Sequence, residues 1–250
     1  MPSCSMRFLP TLMLYRKSTL GILLALIFLS FFGMMTLSAS MLPESYDWRR
    51  RVISSLLSPR DNPDHYLFAA VGLGLSGVLM LPLVEYLRRY LKTIAPRTAK
   101  VSAGAFILGI IALICASFVV PQHRDATFGI EHLHEFLGRS AAGLLAIGML
   151  CACWCAWKGR AQLPFALSWV WSVVTVLPLT GLFVSKALLV LTSVGPSWAA
   201  PIRTAFRDSV FWHLGFWEWT GAAGVFVFLC AAVFLTPAQA QGTASSRTEA

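Results

Sequence analysis

The chain has 250 residues, of which 57% are hydrophobic and only 12% are charged, and its formal net charge is +9. Soluble domains carry about 25% charged residues, so this composition, with a mean hydropathy of +0.69, excludes an ordinary soluble fold and requires a bilayer as part of the solvent. No segment resembles a nucleic-acid-binding module. The positive charge therefore indicates membrane lipid as a partner and no nucleic acid, while protein partners cannot be inferred.

Six segments are long and apolar enough to cross a membrane. They lie near 18–37, 66–87, 101–120, 136–157, 164–184 and 210–235, and each approaches the roughly 20 residues that a spanning helix needs. Because backbone groups in lipid must be hydrogen-bonded within the segment, and alternating strand patterns are absent, these segments are predicted helices. The sequence predicts an all-α integral membrane protein, with a bundle of six transmembrane helices over 1–236 and a disordered tail over 237–250.

The first segment has two interpretations. Arg16 and Lys17 precede it, and Ser38-Ala39-Ser40 resembles the cleavage site of a signal peptide. The apolar run spans about 20 residues, however, whereas the apolar core of a signal peptide has about 7–15. We expect a retained helix, with a cleaved signal peptide as the alternative.

The orientation follows from the lysines and arginines. With the N-terminus inside, the inner segments hold 11 cations and two acids, and the outer segments hold nine cations and nine acids. The dense group between Arg88 and Lys100 lies beside two helix ends, which is typical of a cytoplasmic face. We therefore predict an integral, multi-pass protein of the cell membrane with both termini cytoplasmic.

The loop after the first helix is rich in arginine, although it faces outward in this orientation. Arginine binds phosphate and carboxylate groups with two parallel hydrogen bonds. The predicted ligand-binding residues are Arg49, Arg50, Arg51, Arg60 and Arg139. We expect the run 49–51 either to pair with nearby acids or to bind an anionic group, and we expect Arg139 to pair with Glu135 one helical turn away.

Three histidines lie where helices begin at the outer face. Helices two, four and six all start there, which gives His65, His134 and His213 similar depths. Three neutral imidazoles could hold a zinc ion with an open position for water, and Asp64 or Glu218 could then act as a general base. No H-x-x-x-H or H-E-x-x-H motif occurs. The alternatives are an anion or lipid-headgroup site built from arginines and helix N-termini, and plain interfacial polarity.

The stretch YDWRRRVISSLLSPRDNPDHYLFAAVGLGLSG resembles the six-helix membrane proteins of the Frag/DRAM/Sfk type and related bacterial membrane proteins of unknown function. The matching features are the pair Ile53-Ser54 in the outer loop, the glycine-rich second helix and a histidine, His132 or His134, that opens the fourth. This resemblance implies a six-helix architecture and a role connected with lipid.

Two functions follow as expectations. The first is a multi-pass membrane protein that binds lipid or a partner through the polar cluster at its outer face. The second is a membrane-embedded, metal-dependent hydrolase or lipid-remodelling enzyme that uses His65, His134 and His213 with possible zinc.

Overall fold

The computed structural model describes residues 16–42, 44–119, 132–194, 198, 201, 204–205 and 209–236. Every regular element in this part of the chain is a helix, and six helices are long and apolar enough to span a membrane. They are α1 (Lys17–Ser40), α2 (Tyr66–Lys92), α3 (Pro96–Phe118), α4 (Leu133–Lys158), α5 (Phe165–Val194) and α6 (Leu214–Phe234). The predicted all-α, six-helix membrane fold is confirmed. The predicted tail over 237–250 lies outside the described residues.

Several helix bounds differ from those predicted. Helix α5 ends at Val194 rather than near 184. Helix α3 begins at Pro96 rather than near 101, because proline at the first helical position costs no helical hydrogen bond. Helix α6 begins at Leu214 rather than near 210. A short 3₁₀ turn, Val210–Trp212, precedes it, and the extended backbone of His213 separates the two.

The six helices form a ring in chain order. Each packs against the next one along the chain, and α6 also packs against α1, which closes the ring. Consecutive spanning helices run in opposite directions, so helices that begin at the same end alternate around this ring. As a consequence, α2, α4 and α6 are not consecutive in the ring, although α2 and α4 also touch directly.

One large apolar cluster draws on all six helices. Trp171 of α5 stacks on Phe228 of α6 with ring centroids 4.5 Å apart, and its indole N–H donates to the Phe228 carbonyl at 3.0 Å. Phe106 of α3 lies 5.9 Å from the same phenyl ring, and all three side chains are fully buried. Aromatic side chains bury large areas, so this cluster stabilises the closed arrangement of the six helices.

Glycines of α2 allow its neighbours to approach closely. A methyl group at Gly72 would collide with the carbonyl of Ser30, which lies in a π-helical turn of α1, Leu29–Gly33. Methyl groups at Gly74 and Gly77 would lie 2.9 Å from Phe118 and Ile114 of α3. The glycine pattern of this helix therefore serves helix packing through small residues.

The bundle has two ends of different character. At the end that we call the capped end, α1 finishes, α2 and α6 begin, and the connection 41–65 covers them. At the opposite end, which we call the basic end, short turns join α2 to α3 and α4 to α5. These turns and the helix ends beside them carry seven of the 15 lysines and arginines that the described residues include, and Arg16 and Lys17 at the start of α1 lie at the same end.

Candidate functional site

The connection 41–65 is packed onto the capped end by apolar side chains. It contains a single helical turn, Ser54–Leu57, whose Leu56 and Leu57 are buried. They join a second apolar cluster with Phe31 and Met35 of α1 and with the first turns of α2. The connection is therefore a docked cap whose backbone has fixed neighbours.

Tyr46 fixes the fold of this cap from within. Its hydroxyl lies 3.1 Å from the carbonyl of Arg51 and 3.0 Å from that of Val52, within donating distance of both, and it accepts from the indole N–H of Trp219 at 3.3 Å. The tyrosine and tryptophan rings also meet edge to face. Burial raises the pKa of the Tyr46 phenol, since desolvation disfavours its charged form.

Glu218 and Gly215 of α6 hold the same segment of cap backbone. The amide of Ile53 donates to a Glu218 carboxylate oxygen at 2.9 Å. One turn earlier, Gly215 lies so close to the Arg51 carbonyl that a methyl group there would overlap it. The structure thus places Glu218, a predicted general base, against the backbone of the cap, and its catalytic role stays a prediction.

A buried polar network ties the end of the cap to α1. The side-chain amide of Asn62 donates to the Ser38 hydroxyl at 2.7 Å and to the Leu56 carbonyl at 3.1 Å, and the Ser38 hydroxyl donates to the His65 carbonyl at 3.2 Å. Asn62 and Ser38 are almost completely buried. Buried polar groups that are hydrogen-bonded in this way stabilise one arrangement of the chain.

The network borders the start of the second helix. Residues 62–65 form a turn in which the Asn62 carbonyl accepts from the amide of Tyr66 at 3.0 Å, and His65 is the capping residue before α2. Asp64, the other predicted general base, is exposed in this turn and has no ion pair within the described residues.

A cleft lies between the cap and the start of α6. Its volume is about 370 Å³, and we call it the arginine cleft. Its lining consists of Tyr46, Asp47, Trp48, Arg49, Arg50, Val210 and His213. The ring nitrogen Nε2 of His213 is buried and has no hydrogen-bond partner in the described part of the chain. A buried polar atom without a partner is costly.

The two arginines of the cleft differ in their partners. The guanidinium of Arg50 lies 3.6 Å from an Asp47 carboxylate oxygen, an exposed and loose ion pair. The backbone amide of Arg49 donates to the Asp47 carboxylate at 3.0 Å, but its guanidinium has no carboxylate partner within the described residues and lies over the Trp48 ring at 5.4 Å from the centroid. A guanidinium held over an aromatic face keeps its N–H groups free to donate.

The remaining predicted arginines are paired with acids instead. Arg51 lies 3.0 Å from Glu44, Arg60 lies 3.1 Å from Asp61, and Arg139 lies 2.7 Å from Glu135. The expected pairing of Arg139 with Glu135 is confirmed. These three cations do not line the arginine cleft. Of the five arginines predicted to bind an anion, only Arg49 and Arg50 line it.

The three predicted metal-binding histidines occupy three different settings. His213 lines the arginine cleft, His65 packs near Phe68 with ring centroids 6.1 Å apart, and His134 approaches the Ala116 carbonyl of α3 through Nδ1 at 3.0 Å. Among the described residues, no group of three His, Cys, Asp or Glu side chains could hold a metal ion. The zinc site stays a prediction, and His123 lies outside the described residues.

The ring explains why equal depth did not bring these histidines into one group. They share a level because their helices all begin at the capped end, but those helices alternate around the ring. The sequence predicts the depth of a residue along its helix more readily than the direction in which its side chain points around the bundle.

Tyr46, Trp48 and Asn62 belong to this end although none of them is among the predicted site residues. A dense aromatic and polar loop is the only local signal that these residues offer. The fold and the cleft together define a multi-pass, all-helical membrane protein with a cationic cleft at one end of its bundle. Comparison with protein-family models, curated proteins and solved structures finds no match for this chain.

Proposed function

We propose that this protein binds the anionic headgroup of a membrane lipid in the arginine cleft. The observation that carries the proposal is the lining of the cleft, where the Arg49 guanidinium has no carboxylate partner within the described residues and Arg50 has only a loose pair with Asp47. A phosphate would accept hydrogen bonds from these two guanidinium groups. Bonds of this charge-assisted kind are about twice as strong as neutral ones.

The position and size of the cleft support a lipid as the source of this anion. The cleft lies beside the first turn of α6 and beyond the last residue of α1, where the apolar spans end and headgroups begin. Trp48 and the nearby Phe211 are exposed there, as is typical of aromatic side chains at a membrane interface. A volume of about 370 Å³ is within the range of small-ligand pockets.

The proposal includes a location and an orientation. It places the chain in the cell membrane with both termini cytoplasmic and the arginine cleft outside, as the bias of lysine and arginine favours. A membrane-impermeant maleimide on intact cells tests this in a cysteine-free background. It should label cysteine introduced at exposed Asp64 and leave cysteine at exposed Thr93 unlabelled, and reversed labelling would contradict the orientation.

Binding is tested with the full-length protein in mild detergent by native mass spectrometry. We expect the double variant Arg49→Gln, Arg50→Gln to weaken binding of phosphatidylglycerol by about tenfold or more, since each lost charged hydrogen bond costs about 1.5–3 kcal/mol. Phosphatidylcholine, which has no net charge, should bind weakly to both forms. His213→Ala should weaken phosphatidylglycerol binding as well.

The matched control is the double variant Arg60→Gln, Arg139→Gln, which removes the same charge at the same end but outside the cleft. Equal losses in both double variants, or unchanged binding without Arg49 and Arg50, would overturn the proposal. Stronger competition by inorganic phosphate than by lipid would assign the cleft to a soluble anion. Bound zinc lost on replacement of His65, His134 or His213 would favour the hydrolase instead.

A further inference from the structure

The basic end carries a second group of cations that the arginine cleft does not involve. Five exposed side chains, which we call the basic patch, lie on the two short turns of this end and on the helix residues beside them: Lys92, Arg97, Lys100, Lys158 and Arg160. None of the five forms an ion pair within the described residues. Their charges are therefore available to a partner.

The two turns of the basic patch are in contact. Ile94, in the turn between α2 and α3, packs against Gly159, in the turn between α4 and α5, and a methyl group on this glycine would lie 2.9 Å from the isoleucine side chain. Helices α3 and α4 also pack closely, and the Ser102 hydroxyl of α3 donates to the Gly148 carbonyl of α4 at 2.8 Å. The cations of both turns thus belong to one surface.

No acid among the described residues is left to neutralise this surface. Glu85 is the only described carboxylate near the basic end, and Arg88 and Arg89 bind it at 2.6 and 2.7 Å. The basic patch keeps its full positive charge, which an anionic group can complement.

Aromatic side chains place the basic patch at the depth of lipid headgroups. Trp157, Phe165 and Trp169 meet edge to face, with ring centroids 6.0–6.3 Å apart, directly beside the turn that carries Lys158 and Arg160. Phe165 and Trp169 are exposed by half or more. Tryptophan and neighbouring aromatic rings concentrate at the membrane–water boundary, so the exposed cations beside them are level with phosphate groups.

We infer that the basic patch binds the headgroups of anionic phospholipids in the leaflet that surrounds the basic end. The lysines and arginines supply positive charge at headgroup depth, the contact of Ile94 with Gly159 joins two turns into one surface, and the aromatic cluster fixes its level. The site is independent of the arginine cleft, because the two lie at opposite ends of the bundle.

The test measures lipid selectivity at the protein surface in vesicles of mixed phosphatidylcholine and phosphatidylglycerol. Spin-labelled forms of both lipids report their relative association with the full-length protein. We expect phosphatidylglycerol to be preferred at low salt and the preference to fall in 1 M salt, where screening acts within about 3 Å. The triple variant Arg97→Gln, Lys158→Gln, Arg160→Gln should reduce this preference, by up to about fivefold for each cation, and leave only the part that the intact arginine cleft contributes.

The control triple variant is Arg51→Gln, Arg60→Gln, Arg139→Gln, which removes the same net charge from paired cations at the capped end. It should keep the preference. Equal loss in both triple variants, or no preference in the unaltered protein, would overturn the inference. Saturable binding of inorganic phosphate in detergent, without lipid preference in vesicles, would also overturn it and assign the patch to a soluble anion. Because neither triple variant alters Arg49 or Arg50, the result is independent of the cleft.

Discussion

Three arginines at the capped end, Arg51, Arg60 and Arg139, lie 2.7–3.1 Å from a carboxylate, whereas the five cations of the basic patch have no ion-pair partner within the described residues. Arg50 makes only a looser contact of 3.6 Å with Asp47. Both ends carry many cations, so the two ends differ in whether acidic side chains pair with them. Exposed ion pairs contribute about 0–1 kcal/mol, and therefore paired charges neither build the cap nor attract a ligand strongly. Cations without acids, as in the patch and at Arg49, remain free to bind.

The capped end is held instead by buried contacts that carry little net charge. Backbone groups of Arg51, Val52 and Ile53 meet the side chains of Tyr46 and Glu218, and Asn62 bridges the cap to α1. The basic end has only short turns, whose charged side chains extend into solvent. Substitutions at the capped end should therefore change stability, and substitutions at the basic end should change lipid binding.

The largest effect on stability is expected for Gly215→Ala. The added methyl group would overlap the Arg51 carbonyl, a backbone atom that cannot move without the cap. Overpacking of this kind costs about 1–3 kcal/mol. Gly221→Ala on the same helix is the control, because a methyl group there would lie 4.0 Å from its nearest neighbour, the Pro178 side chain. Alanine also stabilises a helix by about 1 kcal/mol relative to glycine. Thermal unfolding in detergent measures both, and equal melting temperatures would contradict a tight cap.

Asn62→Ala should have the next largest effect. It removes the donors to Ser38 and to the Leu56 carbonyl inside a nearly water-free site, which costs about 1–3 kcal/mol. Asp64→Ala, two residues away and exposed, should change stability by less than about 0.5 kcal/mol. Limited proteolysis of the cap reports the difference. Similar cleavage rates in both variants would show that the buried network does not hold the cap.

Tyr46→Phe gives a smaller effect that depends on pH. The substitution removes one hydroxyl, at a cost of about 1 kcal/mol. Since burial raises the pKa of this phenol, the protonated form is the one that stabilises the fold. Its contribution is complete below the unfolded pKa of about 10 and is lost as the pH rises through the higher folded value. The stability difference between the two proteins should stay constant from pH 7 to 9 and shrink above 10, and a difference that already shrinks below pH 9 would contradict this.

Hydropathy and local spacing made much of this molecule predictable. The six spans follow from apolar length, and the pairing of Glu135 with Arg139 follows from a separation of four residues on a helix. The contact between Glu218 and Ile53 joins residues 165 positions apart, and no local pattern encodes it. The apolar run near 210–235 predicts His213 inside the sixth helix. Ser209 instead caps the 3₁₀ turn, accepting from the Phe211 amide at 3.3 Å, and this turn places His213 beside the arginine cleft.

The smallest effect on stability is expected at the basic end, where it separates binding from folding. Arg97, Lys158 and Arg160 are exposed and make no ion pair within the described residues, so their replacement by glutamine removes no described contact. Exposed substitutions of this kind change the free energy of unfolding by less than about 0.5 kcal/mol. Removing like charges also relieves their mutual repulsion, which stabilises the fold slightly. The triple variant should therefore melt at the temperature of the unaltered protein in neutral detergent, where no anionic lipid is present. Adding phosphatidylglycerol should raise the melting temperature of the unaltered protein more than that of the variant, because a ligand that binds only the folded state stabilises it.

A marked loss of stability in neutral detergent would mean that these cations hold the turns together, and the contrast between the two ends would fail.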